Sequence, residues 1–588
     1  MSTRHGSAAR VTGTPLRRIV GLVRARWPRL VLGACAGLLA SACSVALLAT
    51  GAWLIARAAE RPSMVALSLA VVAVRAFAVG RAFFRYVERL VTHDVTLQVL
   101  SDLRVAVFRR LERLAPAGLP VFRSGDLLAR LVSDVDAVQD VFLRALLPWF
   151  TGVAVALLAA AGVLFLLPSA GTVLVAVTLL VAVVVPRLTR RWSRRAEAGA
   201  REARGWLNED VVDTFERLPE LIAYGEVDRR LIELAETERR LVHHLDSAAR
   251  VRGAAAGAVT FATGAAVWCA LVLGVPAVRD GSFPAVLLAV VVLVPLALAE
   301  VLAPLPLAAS ELTRAVGAAG RVVDVLDTPD PVVEPDHPAG MPAAPYDISV
   351  ASLGVRWPGQ ESDALRGVDL ALPAGHRVAV IGASGSGKTT LAMALLRFLD
   401  PATGRITLSG VDTRELDADA VRRVVGLLAQ DAHIFDSTVW ENVRLARPAA
   451  TRSDVRDALA RARLLDWVDG LPDGLDTWVG EHGDRMSGGE RQRLALARVL
   501  LADFPVVILD EPVEHLDLRT ADALLADLLD ATRDRTVLAI THRLQGYEEF
   551  DEIVVLRDGS VAERGTHHEL MGVHGLYRAA YEQELSLV

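Results

Sequence analysis

From Leu30 to Ala56 the chain carries no charged side chain, and this stretch limits its folding choices more than any other feature. A helix needs about 20 predominantly apolar residues to cross the roughly 30 Å hydrocarbon core of a bilayer. Lipid offers no partner for backbone N–H and C=O groups, so the crossing element must satisfy them internally, as a helix does. Four further stretches extend the pattern. Pro62 to about Phe84 forms a second span, less clean because it holds Arg75 and Arg81. Ala145 to Pro186 is uncharged and about twice one crossing, with Pro168-Ser169-Ala170-Gly171 supplying a turn in its middle. Gly253 to Val278 and Ser282 to about Ser310 flank the polar tip Arg279-Asp280-Gly281. The prediction is six spans. A hydrophobic content of 53% with 22% charged residues supports a lipid-embedded chain and excludes intrinsic disorder. A net charge of -6 gives no basic excess for a nucleic-acid partner. The three cysteines, Cys35, Cys43 and Cys269, lie inside apolar runs without metal-site or disulfide spacing.

Arginine placement sets the orientation, because basic flanks stay on the cytoplasmic side. Arg4, Arg10, Arg17, Arg18, Arg24, Arg26 and Arg29 precede the first span, so residues 1–28 are expected in the cytoplasm, with no cleavable signal. Residues 29–326 then form a six-helix membrane domain in a cytoplasmic (inner) membrane. Its segments 89–144 and 187–252 continue inward as helices, as apolar Leu100, Leu103, Val107 and Leu111 suggest. Six crossings return the C-terminus to the cytoplasm. Residues 327–345 are dense in proline and read as a linker, leaving 346–588 as a soluble domain.

In that domain the runs HRVAVIG, RVVGLLA, PVVILDE and TVLAITH alternate with helical patterns, which predicts an α/β fold with a largely parallel sheet. The first run leads into Gly382-Ala383-Ser384-Gly385-Ser386-Gly387-Lys388-Thr389, a complete GxxxxGK[ST] phosphate loop followed by Thr390. Its backbone N–H groups and the following helix N-terminus face the phosphates of ATP, Lys388 adds a point charge, and the Thr389 hydroxyl is placed to hold Mg²⁺. Of 63 basic residues only Lys388 is lysine, the exception expected where a site needs a compact ammonium and not a planar fork. Val506 to Leu509 is an apolar strand that ends in Asp510 and Glu511. Asp510 would complete the Mg²⁺ shell and Glu511 polarise the attacking water.

The block Met486-Ser487-Gly488-Gly489-Glu490-Arg491-Gln492-Arg493 resembles the signature motif of ATP-binding cassette (ABC) proteins. The resemblance extends over the whole chain and implies an exporter-type half-transporter, an α-helical six-span membrane domain fused to an α/β P-loop ATPase domain. It further implies that Gln430 is the Q-loop residue, also near Mg²⁺, that His542 is the switch histidine at the γ-phosphate, and that Trp357 stacks on adenine. Ser487, Gly488, Gly489 and the D-loop Asp517 would close over the ATP of a second half-transporter, so a dimer is required. Two departures stand out: Glu490 where glutamine is commoner, and Glu514-His515-Leu516-Asp517 where Ser-Ala-Leu-Asp is usual. The altered D-loop favours a nonidentical partner and leaves open a mainly regulatory subunit.

Arg81, Arg85, Arg89 and His93 recur every four residues along one slowly drifting helical face, and Glu300 lies inside the sixth span. Such residues either line a path for an anionic cargo, snorkel to headgroups, or pair with acids such as Glu88 and Asp94. The segment RYVERLVTHD and the stretch ATGAWLI resemble the CydDC family of heterodimeric exporters. That resemblance implies export of low-molecular-weight thiols, cysteine or glutathione, in support of bd-type oxidase assembly, and a CydD-like partner. It also implies haem as regulator or cargo, with His93 as candidate ligand. A multidrug or lipid exporter stays open as an alternative.

Overall fold

The computed structural model describes residues 21, 26–119, 127, 130–480, 483–513 and 518–586. The chain divides into two compact units, Met1–Arg110 with Ser124–Thr328, and Leu111–Arg123 with Pro329–Val588.

The first unit is helical. Among the described residues six helices are long and apolar enough to cross a membrane: α1 (Trp27–Ala59), α2 (Met64–Leu114), α3 (Arg130–Leu166), α4 (Pro168–Glu216), α5 (Val227–Arg279) and α6 (Ala285–Asp327). Because a residue adds 1.5 Å of rise, α2, α4 and α5 are each about 70–80 Å long, far beyond one bilayer, so they extend outside it as their charged sequence demands. The turn between α3 and α4 is tighter than the sequence suggested. Leu167 alone is extended, and Pro168 opens α4 as a first-turn proline, where its missing N–H costs nothing. The sixth helix was expected as one piece but lapses at Ala303-Pro304, where proline cannot donate the helical hydrogen bond. Small residues let backbones approach. A Cβ on Gly33 would stand 2.6 Å from the Thr92 methyl, and one on Gly37 would stand 3.1 Å from the Glu88 carboxyl. Such small-residue contacts suit membrane helices, which gain no hydrophobic advantage by leaving lipid.

The second unit is α/β. Six strands lie in the order β10-β9-β3-β8-β7-β6: β3 (Arg377–Ile381), β6 (Val425–Leu428), β7 (Val506–Asp510), β8 (Thr536–Thr541), β9 (Glu552–Arg557) and β10 (Ser560–Gly565). All neighbours pair parallel except β9 with β10. The sequence reading missed a second, antiparallel sheet, β2-β1-β4-β5, built from β1 (Ile348–Val355), β2 (Leu365–Leu372), β4 (Thr403–Leu408) and β5 (Val411–Asp412). Alternation along β3 feeds two cores. Val378 and Val380 join the cluster shared with β1 and β2, while Ala379 and Ile381 face the cluster that contains Leu494 and Leu524.

From Pro329 the proline-rich linker belongs to this unit and is pinned to it. Fully buried Arg397 donates to the carbonyls of Val333 and Leu416 and bridges Glu334 and Asp400. The backbone N–H of Val333 returns a bond to Asp400 at 2.9 Å. A buried guanidinium persists only when so fully paired, so this segment is a fastened strap and not a free tether.

Candidate functional site

Parallel pairing brings three strand ends together. Register places Ile381 opposite Thr541 and Asp510 opposite Ile540, so the residues that follow β3, β7 and β8 emerge side by side at one edge of the sheet. Those residues are the phosphate loop, Glu511 and His542, at the carboxyl edge where open α/β sheets bind ligands. Gly387 sits at φ +103° just before the helix α7 (Lys388–Leu395), and a Cβ there would come 2.6 Å from Leu365. Only glycine fits this turn.

Lys388 is 5% exposed, and its Nζ donates to the carbonyls of Gly382 at 2.8 Å and Ala383 at 3.1 Å, curling under the loop. Glu511 Oε1 lies 3.6 Å from the same Nζ, and Glu511 Oε2 lies 3.2 Å from Nδ1 of the exposed His542. Glu511 holds φ +46°, a conformation unfavourable for a side chain of its size, fixed by its N–H donating to Ile540 at 2.8 Å. Strain of this kind at a strand end points a carboxylate outward into the site. Asp510 is buried at the end of β7, while Thr389 is exposed on the first turn of α7. A carboxylate and a hydroxyl of this type are hard oxygen donors that fit Mg²⁺. Trp357 donates from Nε1 to the Thr390 hydroxyl at 3.0 Å, which holds the indole beside the phosphate loop. Gly382, Ser384, Gly385 and Ser386 also line a cavity of about 560 Å³ with His542 and the last helix.

The signature helix α8 (Gly488–Ala502) explains the Glu490 departure. Ser487 accepts from the Glu490 N–H, and Glu490 accepts from the Ser487 N–H at 2.7 Å. This is a capping box, a role that glutamate fills as well as glutamine. Gln492 on the same helix donates to the Gln430 carbonyl at 2.8 Å and ties that residue to α8. Ser487, Gly488 and Gly489 make no hydrogen bond to the phosphate loop among the described residues. Asp517 and the rest of the altered D-loop lie outside the described residues.

Sequence reasoning missed Glu584. It lies on the last helix, α9 (Leu576–Leu585), and accepts from the backbone N–H of Leu544 at 2.8 Å and of Gln545 at 3.4 Å, just beyond His542. No local signal marks it, since forty residues separate acceptor from donor. Tyr547 is fully buried nearby in sequence, and desolvation pushes its phenol up to about 12.

In the membrane unit α2 carries the predicted stripe. Arg81 reaches Glu300 of α6 at 3.0 Å, Arg85 pairs with Glu88 on its own helix at 2.8 Å, and Arg89 and His93 are exposed. Asp94 pairs with Arg29 of α1 at 3.6 Å. Isolated charges at mid-membrane cost about 2.5–3.5 kcal/mol each on insertion scales, so pairing is the expected arrangement. Among the described residues no group of three or more His, Cys, Asp or Glu side chains could hold a metal ion.

An α/β ATPase unit fused to six membrane helices defines a transporter driven by nucleotide. The family model described as "ABC transporter" matches residues 365–514, and that described as "ABC transporter transmembrane region" matches residues 30–296. The chain belongs to the ABC transporter family, as a multi-pass membrane protein that couples ATP hydrolysis to transport. Among its relatives is the glutathione/L-cysteine transport system ATP-binding/permease protein CydC of Escherichia coli (strain K12), 33% identical over 86% of this chain and 87% of that protein. The protein named CydD from the same type of system in Bacillus subtilis (strain 168) is 34% identical over 92% and 94%. An ATP-dependent lipid A-core flippase of Chromobacterium violaceum is 30% identical over 84% of each. In fold the chain matches a bacterial Atm1-family ABC exporter solved with ATP bound, at a TM-score of 0.78 and 24% identity over 97% of this chain and 98% of that one.

Proposed function

We propose that this chain is one half of a heterodimeric exporter that uses ATP to move cysteine or glutathione across the cytoplasmic membrane, both termini lying in the cytoplasm, in support of bd-type oxidase assembly. The observation that carries the reading is whole-chain similarity to two proteins named for glutathione/L-cysteine transport. The relatives carry two different names within one type of transport system, and Glu514-His515-Leu516-Asp517 departs from the usual D-loop, which supports a nonidentical partner of the same architecture.

In this reading Gly382, Ser384, Gly385 and Gly387 wrap the triphosphate, and Lys388 leaves its two carbonyl partners to neutralise the β- and γ-phosphates. Thr389, Asp510 and Gln430 would hold Mg²⁺, which would supply charge neutralisation at the phosphates. Glu511 orients and polarises the attacking water, while His542, already within 3.2 Å of that carboxylate, contacts the γ-phosphate. Trp357, fixed by Thr390, stacks on adenine. Ser487, Gly488, Gly489 and Asp517 complete the site on the opposing subunit.

The test uses inside-out vesicles that contain both halves. ATP should drive accumulation of labelled cysteine or glutathione, and a Glu511→Gln complex should accumulate none. Equal accumulation by the two complexes would overturn the reading, and turnover stimulated by lipid in place of thiols would favour the flippase-like relatives.

One observation favours haem as a second cargo. His93 is exposed on α2, one turn beyond exposed Arg89 and two turns beyond Arg85, so an imidazole and propionate-pairing guanidinium groups share one helix. A haem absorbance band that disappears in His93→Ala would support it, and absence of any band in the wild type after haem addition would end it.

A further inference from the structure

Arg81 and Glu300 stand on the apolar stretches 62–84 and 282–310, which hold one other charge, Arg75, and they meet at 3.0 Å. By helical rise Arg81 lies about 25 Å from the start of α2 at Met64, and Glu300 about 22 Å from the start of α6 at Ala285. Those depths agree, and both fall within the roughly 30 Å of a hydrocarbon core. A pair that served only to hide two charges would be closed. Arg321 and Asp134 illustrate that case, with two bonds at 2.7 and 2.5 Å and an aspartate side chain only 10% exposed. Arg81 and Glu300 are built differently. One bond joins Nη2 to Oε1, and the side chains are 45% and 64% exposed. A guanidinium has five N–H donors and a carboxylate about four acceptor sites, so most of the bonding capacity of this pair faces outward. Exposure to lipid is disfavoured for either group, so the open side of the pair is placed to meet a polar partner.

We infer that Arg81 and Glu300 form a split-charge site for the α-amino-acid head of the cargo, the guanidinium taking its carboxylate and the glutamate its ammonium. Cysteine carries both charges on one carbon, and so does the γ-glutamyl end of glutathione. The inference rests on the proposed thiol cargo and deepens it: selection acts on the zwitterionic head, not on sulfur. Without cargo the two residues neutralise each other. With cargo each exchanges its partner for a ligand group of the same sign, so no charge is stranded at depth at any stage.

The experiment compares three labelled thiols in ATP-driven inside-out vesicles containing both halves: cysteine, N-acetylcysteine without the ammonium, and cysteamine without the carboxylate. The wild type should prefer cysteine to either analogue by about tenfold or more, as loss of a charge-assisted bond implies. Glu300→Gln should bring the cysteine to N-acetylcysteine ratio close to one, and Arg81→Gln should do the same to the cysteine to cysteamine ratio. Ratios within one vesicle batch do not depend on the amount of assembled protein, so a poorly folding variant is still informative. Unchanged ratios, or equal loss of all three cargoes, would overturn the site and leave thiol export standing. A wild type that accumulates none of the three would overturn thiol export itself, and this site with it.

Discussion

The nucleotide unit and the membrane unit solve the same problem, holding a charged ligand, by opposite means. In the first, the partners are close in sequence or are delivered to one edge by strand pairing: Lys388 bonds Gly382 six residues away, and Glu511 meets His542 across thirty-one. In the second, Arg81 and Glu300 are 219 residues apart and meet through a single side-chain bond between two membrane helices. A triphosphate is the same ligand in every ATPase, so its cradle can be a fixed local motif. Cargo differs, and a site assembled from single residues on separate helices can change one charge at a time.

The largest expected effect tests how rigid the local motif is. Lys388→Arg keeps the charge but puts a planar fork into a 5% exposed space that holds Nζ within 3.1 Å of two carbonyls. ATPase activity of the two-chain complex in nanodiscs should fall by about 10²–10³, the range for losing one transition-state donor. Wild-type turnover in that variant would break the contrast, since the motif would then be as permissive as the membrane site. Glu511→Gln should cost about 10² in turnover while nucleotide binding persists, because it removes a base but keeps shape and hydrogen bonding. Loss of ATP binding in parallel would show that the carboxylate acts mainly by holding Lys388.

Glu584→Ala is the next step down. It frees two backbone N–H groups, of which the one on Leu544 is buried, at a local cost of about 1–3 kcal/mol. Because these groups follow His542 by two and three residues, loosening them should lower kcat several-fold with KM for ATP little changed. Glu584→Gln, which keeps one acceptor, should recover part of the loss. A change confined to KM would mean that α9 acts on binding and not on His542.

How much of this was legible follows the same division. The six spans, the phosphate loop and the strands β3, β6, β7 and β8 were readable because each is a largely apolar run or a contiguous motif. The antiparallel sheet was not, since β1 reads ISVASLGV and alternates too briefly and too weakly to stand out, with Ser352 at φ +48° inside it. Proline density in 327–345 was read as a linker and said nothing of its attachment, which depends on Arg397, a residue that looks like any other arginine in the chain. Glu490 looked like a departure in a motif and proved to be an ordinary cap. An ion pair was open for Arg81 and for Glu300, but nothing in the sequence joined the two, because residues 219 apart on separate helices leave no periodic trace of which faces which.

The smallest expected effect concerns pH and lies wholly within the nucleotide unit. Tyr547 has its phenol pushed up to about 12 from the ordinary 10, first of all by burial. Below pH 10 both folded and unfolded chains keep this proton and it contributes no slope. Between pH 10 and 12 the unfolded chain sheds the proton while the fold retains it, so stability falls as pH rises, by about 1.4 kcal/mol per pH unit for the one group. Above about 12 both forms are ionised and the loss is complete. The full two-chain complex in nanodiscs should therefore show an unfolding midpoint that declines across this window, and Tyr547→Phe should make the decline shallower. Tyr581, also raised to about 12 by burial, keeps part of the slope in that variant. An identical slope in wild type and Tyr547→Phe would mean that the Tyr547 ring is wet, and that the fixed local geometry claimed for this unit is looser than its hydrogen bonds imply.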